Sequence, residues 1–481
     1  MTILPLRPAD NATPEALGAF LGQCREAARR DGRAKLVSIS VTVDALDPLA
    51  VLESIFDPAE PHFYAERPSI ESAIAGAEVA VRFEARGPGR FAAVQAWMDD
   101  QLAHAIAVGD VTAPFGGPHF FASFTFHDDV EAGEAFPAAH AFVPRWQVAR
   151  AGHTTTAVAN LLVTPDADLA RETERVWRAH RKFRGFEYAD GGISAEEVRP
   201  PPVQAAAHFT TAEAGDYRAA VARALERIEA GEFRKIVLAR AQDLTADRPL
   251  HPLRILNGLR QRFPDCYAFS FTTGQGPSFI GASPERLVRV RQGTLETEAL
   301  AGSIGRGAGA SEDAALAGRL LRSEKDRREQ REVLDDIVAR LAPLGIQPEF
   351  PPEPQVRRLA NVQHLHTPVR ATLPAGVRPL DVVAAMHPTP AVGGSPRAAA
   401  LAGIRELEGF PRGLYAGALG WLNARGGGEF FVGIRSARVE GARARLYAGA
   451  GILAGSTPEK EFAETELKFK AMRDALLASS P

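Results

Sequence analysis

From residue 208 onward, strand-like and helix-like segments follow one another without the regular strand–helix–strand alternation that builds a parallel sheet. "TAEAGDYRAAVARALERIEAGEF" reads as a helix leading into the strand "FRKIVLAR". "CYAFSFTTG" (266–274) and "SFIGASPERLVRVRQGTLETEALAG" (278–302) come next, then a long helix from about Ser323 to Leu341. The chain closes with the strands "EFFVGIRSARVE" and "ARLYAGAGIL" and a terminal helix from Pro458. This order predicts an α+β fold with large, mostly antiparallel sheets. No internal repeat recurs at a fixed short period.

The first 190 residues or so are Ala-rich and more weakly patterned. Strand candidates are 35–43, 77–85 and 119–126; helix candidates are 13–30, 89–107 and 168–183. The segment 190–208 has the glycine and proline density of a linker or surface crossing, and 342–356 is a second proline-rich break.

At 481 residues with 45% hydrophobic content, the chain can bury a large core. A formal charge of -3 leaves no electrostatic footprint for nucleic acid, and no basic run marks a membrane surface. Cys24 and Cys266 have no metal-like spacing, which fits a reducing compartment. No secretory pattern and no apolar run long enough for a membrane span is visible, so a cytoplasmic protein is expected.

Three features carry chemistry. In "GEFRKIVLAR", period-2 alternation puts Phe233, Lys235, Val237 and Ala239 on one face, so an ammonium group points among apolar side chains. A lysine at a strand end can also snorkel to water, and Arg234 and Arg240 would be similar surface charges. In "SEKDRREQREVLDDIVARL", Asp326 and Glu329 continue the stripe of Val333, Ile337 and Leu341 at helical spacing. In the terminal helix, Glu461, Glu464 and Lys468 fall in line with Met472 and Leu476, behind the cap candidates Ser456 and Thr457. Acidic first turns are often solvated and favoured by the helix dipole. Two acidic pairs on separate helices would equally supply oxygen ligands for a hard cation such as Mg²⁺. A fourth feature, "GAGILA" (449–454), matches a dinucleotide fingerprint only weakly. No helix opens at its second glycine and no further βαβ strand follows.

Taken in order, "FRKIVLAR", "GASPERLV", "ETEALAGSIGRG", "SEKDRREQREVLDDI", "HPTPAVGGSP", "RGLYAGALGW", "FFVGIRSARV" and "YAGAGILAGSTPEKEFAETELKFK" resemble the chorismate-utilising enzymes, most closely the isochorismate synthases. The resemblance covers about 205–475. Upstream it is looser, although "PHFYAERPSIESAIAGAEVAVRF" is similar to the menaquinone-type members. It implies stacked, mostly antiparallel sheets flanked by helices. Residues 206–477 would be the chorismate-binding catalytic region, with 1–205 a variable N-terminal part contributing to the same fold.

The resemblance also implies roles. Lys235 would be the general base on the water that attacks ring carbon 2, a role that desolvation of the ammonium favours. Glu285 would be the acid that protonates the departing 4-hydroxyl, which needs a raised pKa near neutrality. Mg²⁺ would be held by Glu329 and Glu464, with Asp326 and Glu461 supporting. Arg435 and Tyr415 would clamp the pyruvyl carboxylate. Lys468 and the backbone of Gly449 and Gly451 would meet the ring carboxylate, and Gly302 and His364 would lie near the ring. Ala391 stands where lyase-active salicylate synthases usually carry threonine, which favours stopping at isochorismate. Two departures appear: Glu329-Gln330 where relatives often show Glu-His, and Asp326 where many carry Glu. The expected partner is chorismate alone, with no amidotransferase subunit, on a monomer. The long N-terminal region points to menaquinone biosynthesis as the use of the product; the alternatives are a salicylate synthase, a siderophore-pathway isochorismate synthase, and a degenerate chorismate-binding subunit.

Overall fold

A computed structural model describes residues 1–4, 13–184, 208–359 and 362–478. The crossing at 190–208 lies outside these described residues except at His208.

The strand Ala139–Ala151 is where two ladders part. Along one edge it pairs with Ser72–Ala85; along the other it pairs first with His119–Phe124 and then with Thr154–Val163. From Ser72–Ala85 one ladder runs through His62–Arg67, Tyr267–Thr272, Ser278–Ser283, Ser436–Glu440 and Arg443–Leu453 to Lys235–Ala246. From His119–Phe124 the other runs through Ala418–Asn423, Gly428–Val432, Arg286–Arg291 and Thr294–Gly305 to Val362–Thr372 and Gln355–Arg358. All these pairs are antiparallel. The parallel pairs join Ile106–Gly109 to Thr2–Leu4 and to Lys35–Val43.

The ladders stack face to face through aromatic side chains. Phe63 lies on Phe121 with ring centroids 4.6 Å apart, and Phe431 lies 5.1 Å from both Tyr267 and Phe269. Each full burial of such a ring is worth ~2–3 kcal/mol, so this aromatic seam is a main source of cohesion between the sheets. Two of the ladder contacts join N-terminal strands to C-terminal ones: His62–Arg67 with Tyr267–Thr272, and His119–Phe124 with Ala418–Asn423.

The acidic helices flank this stack. Glu324–Leu341 begins where Ser323 Oγ accepts the Asp326 N–H, and it lies on Thr294–Gly305. Val333, Ile337 and Leu341 are buried, and Asp326 and Glu329 are half-buried, as the helical stripe requires. The terminal helix Pro458–Ala478 lies on Arg443–Leu453, with Thr457 accepting the Lys460 N–H. Each helix therefore belongs to a different ladder. The "GAGILA" glycines, Gly449 and Gly451, both sit inside the strand Arg443–Leu453, and the next helix opens only at Pro458. Among the described residues, no helix is long and apolar enough to cross a membrane.

Candidate active site

Lys235 opens its strand and is buried, with Phe233 beside it. Its ammonium has a partner that the alternation pattern does not reveal: Nζ donates to Glu329 Oε1 at 2.9 Å. The face is thus apolar along the strand but acidic across from it. Room for the lysine comes from the neighbouring strand, where a Cβ at Gly451 would stand 3.0 Å from Lys235 Cε. One step along, a Cβ at Gly449 would stand 2.7 Å from the Tyr415 hydroxyl. Two glycines two residues apart keep one face of the strand open, for the lysine and for the tyrosine. Arg240, a surface charge on the snorkelling alternative, is buried and paired with Glu213 and Glu466.

Glu285 and Arg435 both lie where the chain crosses from one ladder to the other. Glu285 follows Ser278–Ser283 and precedes Arg286–Arg291; Arg435 follows Gly428–Val432 and precedes Ser436–Glu440. The crossings are tied together: Val432 N–H donates to the Glu285 carbonyl at 3.1 Å, and Ala282 N–H to the Arg435 carbonyl at 3.1 Å. Arg435 has φ 52°, in the left-handed region that a long side chain rarely adopts, and Ala416 beside Tyr415 has φ 57°. Such backbone persists where its surroundings over-determine it, and it clusters at functional sites.

The electrostatics of the crossings are unequal. Burial pushes the Glu285 carboxyl up to about 7, and the nearby charge of Glu298 adds to the rise. Thr389 donates a long 3.4 Å hydrogen bond to Glu285, and with Arg435 and Lys235 it pulls the other way. Glu298 experiences the same burial, but His366, Arg357 and Arg286 outweigh it and hold that carboxyl well below its usual value. Burial lowers the Arg435 guanidinium, against the charges of Tyr415, Cys266, Glu464 and Glu285. Tyr415, stacked on Tyr447 at 5.1 Å, is pushed up to about 12 by burial.

On the helices, Lys468 donates to Glu464 Oε1 at 2.6 Å and to the Gly449 carbonyl at 2.8 Å. Burial pushes Glu464 up, and Lys468, Arg435 and Lys325 outweigh it, leaving the carboxyl below its usual value. Glu461 is raised by burial and by the charge of Glu464. Asp326 closes on Gly302, whose φ of 70° suits glycine and whose added Cβ would stand 2.9 Å from Asp326 Cβ. The donor set is entirely carboxylate oxygen, which suits Mg²⁺ with its preference for one or two carboxylates plus water and ligand oxygens. Among the described residues, however, no three His, Cys, Asp or Glu side chains are gathered so as to hold a metal ion. Glu329 and Glu464 instead each face a lysine.

His364 is buried. Its Nδ1 meets Ser303 Oγ at 2.8 Å, its Nε2 has no partner among the described residues, and burial drops its pKa to about 3. A neutral imidazole at the edge of the site suits a ligand contact. Ala391 is half-buried in the loop 387–395, two residues from Thr389. Gln330, which the resemblance marks as a departure, is buried and donates to Thr367 Oγ1 at 2.5 Å, joining the helix to the strand Val362–Thr372. Sequence reasoning missed Thr389 and Glu298. Thr389 stands inside the quoted "HPTPAVGGSP", and Glu298 inside "ETEALAGSIGRG", but neither spacing marks it.

The family model described as "Chorismate binding enzyme" matches residues 20–477. The salicylate biosynthesis isochorismate synthase of Pseudomonas aeruginosa is 37% identical over 461 residues, covering 93% of this chain and 91% of that protein. The isochorismate synthase MenF of Bacillus subtilis is 33% identical, covering 75% of each. The solved structure of the menaquinone-specific isochorismate synthase MenF of Escherichia coli superposes with a TM-score of 0.75 at 27% identity. It covers 95% of this chain and 99% of that one.

Proposed function

This chain belongs to the chorismate binding enzymes, and we propose that it isomerises chorismate to isochorismate. Lys235 takes a proton from the water that attacks ring carbon 2. The ring double bond shifts, and the 4-hydroxyl, protonated by Glu285, leaves as water. One observation carries this reading: a lysine and a carboxyl raised to about 7 occupy one site, with a guanidinium and a second lysine for the substrate carboxylates. A carboxylic acid with that pKa is still substantially protonated near neutrality, so Glu285 can donate there. Arg435 presents a planar fork to the pyruvyl carboxylate, with Tyr415 beside it. Lys468, fixed by the Gly449 carbonyl, is placed for the ring carboxylate.

Mg²⁺ is part of the proposal. Glu329 and Glu464 would hold it, supported by Asp326 and Glu461, and it supplies positive charge that screens the ring carboxylate from this acidic site. Water as the nucleophile means that no ammonia-delivering partner subunit is required. The use of the product is a separate question. The Pseudomonas relative named for salicylate biosynthesis aligns over 93% of this chain, so a long N-terminal region does not by itself mark a menaquinone enzyme. Ala391 favours release of isochorismate over pyruvate elimination.

The test is incubation with chorismate and Mg²⁺ followed by proton NMR. An equilibrium mixture of chorismate and isochorismate, abolished by EDTA, is expected. Salicylate and pyruvate would overturn the reading that the reaction stops at isochorismate, and unchanged chorismate would overturn the activity itself. Lys235→Ala should lose turnover while still binding chorismate with Mg²⁺; a near wild-type rate would remove Lys235 from the base role.

A further inference from the structure

The strand Lys235–Ala246 pairs along one edge with Arg443–Leu453 without interruption. Along the other edge it pairs with Gly394–Ser395 at Lys235 and Ile236, and with Phe209–Ala214 from Ala241 onward. Between these, at Val237–Arg240, no described strand stands. Val237 N–H still reaches the Gly393 carbonyl at 2.9 Å, and two side chains supply the further partners. Glu408 Oε1 accepts the Ala239 N–H at 2.6 Å, and Arg412 Nη2 donates to the Val237 carbonyl at 2.7 Å. Buried backbone groups need partners, and here an acceptor and a donor from one ion pair replace an edge residue.

The same arginine reaches further. Nε donates to Glu408 Oε2 and Nη1 to the Val392 carbonyl, both at 2.9 Å, and the guanidinium lies 4.0 Å over the Phe126 ring. Both side chains are only 1% exposed. Val392 belongs to the loop whose Thr389 reaches Glu285, and Val237 is two residues from Lys235. One guanidinium therefore ties the lysine strand to the loop that touches the acid.

We propose that Glu408 and Arg412 are positioning residues: beside the backbone pairing at Gly393–Ser395, they set Lys235 against Glu285 by bonding the middle of the lysine strand, and Arg412 also the loop 387–393, through one buried ion pair. The proposal rests on the isochorismate synthase reading. Ångström-scale misplacement of reacting groups costs up to ~100-fold in rate. A buried ammonium keeps the charge that Glu408 needs but lacks the fork to reach two carbonyls and a carboxylate together.

The experiment compares wild type, Arg412→Lys, Glu408→Gln and Glu408→Ala with Arg260→Lys, which alters another ion pair, to Asp47, away from Lys235. Arg412→Lys, folded by circular dichroism at the assay temperature, should lose about tenfold or more in kcat with the chorismate KM within about threefold. Glu408→Gln, which keeps an acceptor for Ala239, should retain more kcat than Glu408→Ala. Arg260→Lys should lower the melting temperature without that loss of kcat. Should Arg412→Lys fail to fold, the Glu408→Gln and Glu408→Ala pair decides by the same split. A kcat within twofold of wild type for Arg412→Lys, or equal kcat for the two Glu408 variants, overturns the proposal and leaves the pair a brace. Wild-type protein that forms no isochorismate overturns the functional reading and this proposal with it.

Discussion

The two walls of the site carry the same residue type under opposite conditions. At the crossing between the ladders, Glu285 has a hydroxyl for its hydrogen-bond partner and the charge of Glu298 nearby, and its carboxyl rises to about 7. On the helices, Glu329 and Glu464 each accept from a lysine ammonium, at 2.9 and 2.6 Å. Burial acts on Glu285 and Glu464 alike; what differs is whether a cation lies within hydrogen-bond reach. Glu298 repeats the lesson within one wall, since three cationic or cation-capable neighbours hold its carboxyl low beside a glutamate whose carboxyl is raised. The difference between the raised carboxyl of Glu285 and the lowered one of Glu464 is therefore set by their neighbours.

Removing the donor should break the comparison most severely. Glu285→Gln should reduce kcat by roughly 1,000-fold, within the range ascribed to acid–base catalysis, while chorismate still binds; NMR turnover alongside calorimetric binding checks both. A kcat within tenfold of wild type would leave Glu285 without the acid role. On the opposite wall, Glu329→Gln or Glu464→Gln should weaken Mg²⁺ binding by at least about tenfold in titration calorimetry, the lower end of what loss of a supporting partner costs. Unchanged Mg²⁺ affinity in both would place the cation elsewhere.

The smallest effect sharpens the comparison within one wall. On the proposed acid role Glu285 acts when protonated, so kcat/KM should fall as pH rises through about 7. In Glu298→Gln the like charge is gone, while Arg286, Arg357 and His366 remain, and Arg435, Lys235 and Thr389 still face Glu285. The Glu285 carboxyl should then titrate lower, moving the basic limb of kcat/KM down by about one unit. A limb that stays in place would show that Glu298 does not tune Glu285.

Much of the scaffold was legible because its signals are local. Ser323 as a cap, the 3–4 spacing from Asp326 to Leu341 and the proline at 458 mark two helices to within a residue, and Lys35–Val43 matches its expected bounds. The pivotal strand Ala139–Ala151 was not read. Nearly all of its residues are buried on both faces, so the period-2 alternation that betrays a half-buried strand is absent. The segment 278–302, continuous in its sequence pattern, is three strands, broken at the crossing that carries Glu285 and again at the turn Gln292-Gly293. The partners of the site residues were least legible. Lys235 meets Glu329 across 94 positions of chain, and Glu408 and Arg412 are separated by a helix-ending Gly-Phe-Pro that gives no sign of their buried pairing.

The interlocked ladders also bear on how the chain is made. The strand His119–Phe124 bonds to Ala418–Asn423, about 300 residues later, and His62–Arg67 bonds to Tyr267–Thr272. At ~5–20 residues per second on the ribosome, the first of these strands waits ~15–60 s for its partner to be synthesised. During that interval its apolar phenylalanines and unpaired backbone edge are open to other nascent chains. Yield in a heterologous host should therefore depend on translation speed, temperature and chaperone supply more than on the stability of the finished enzyme.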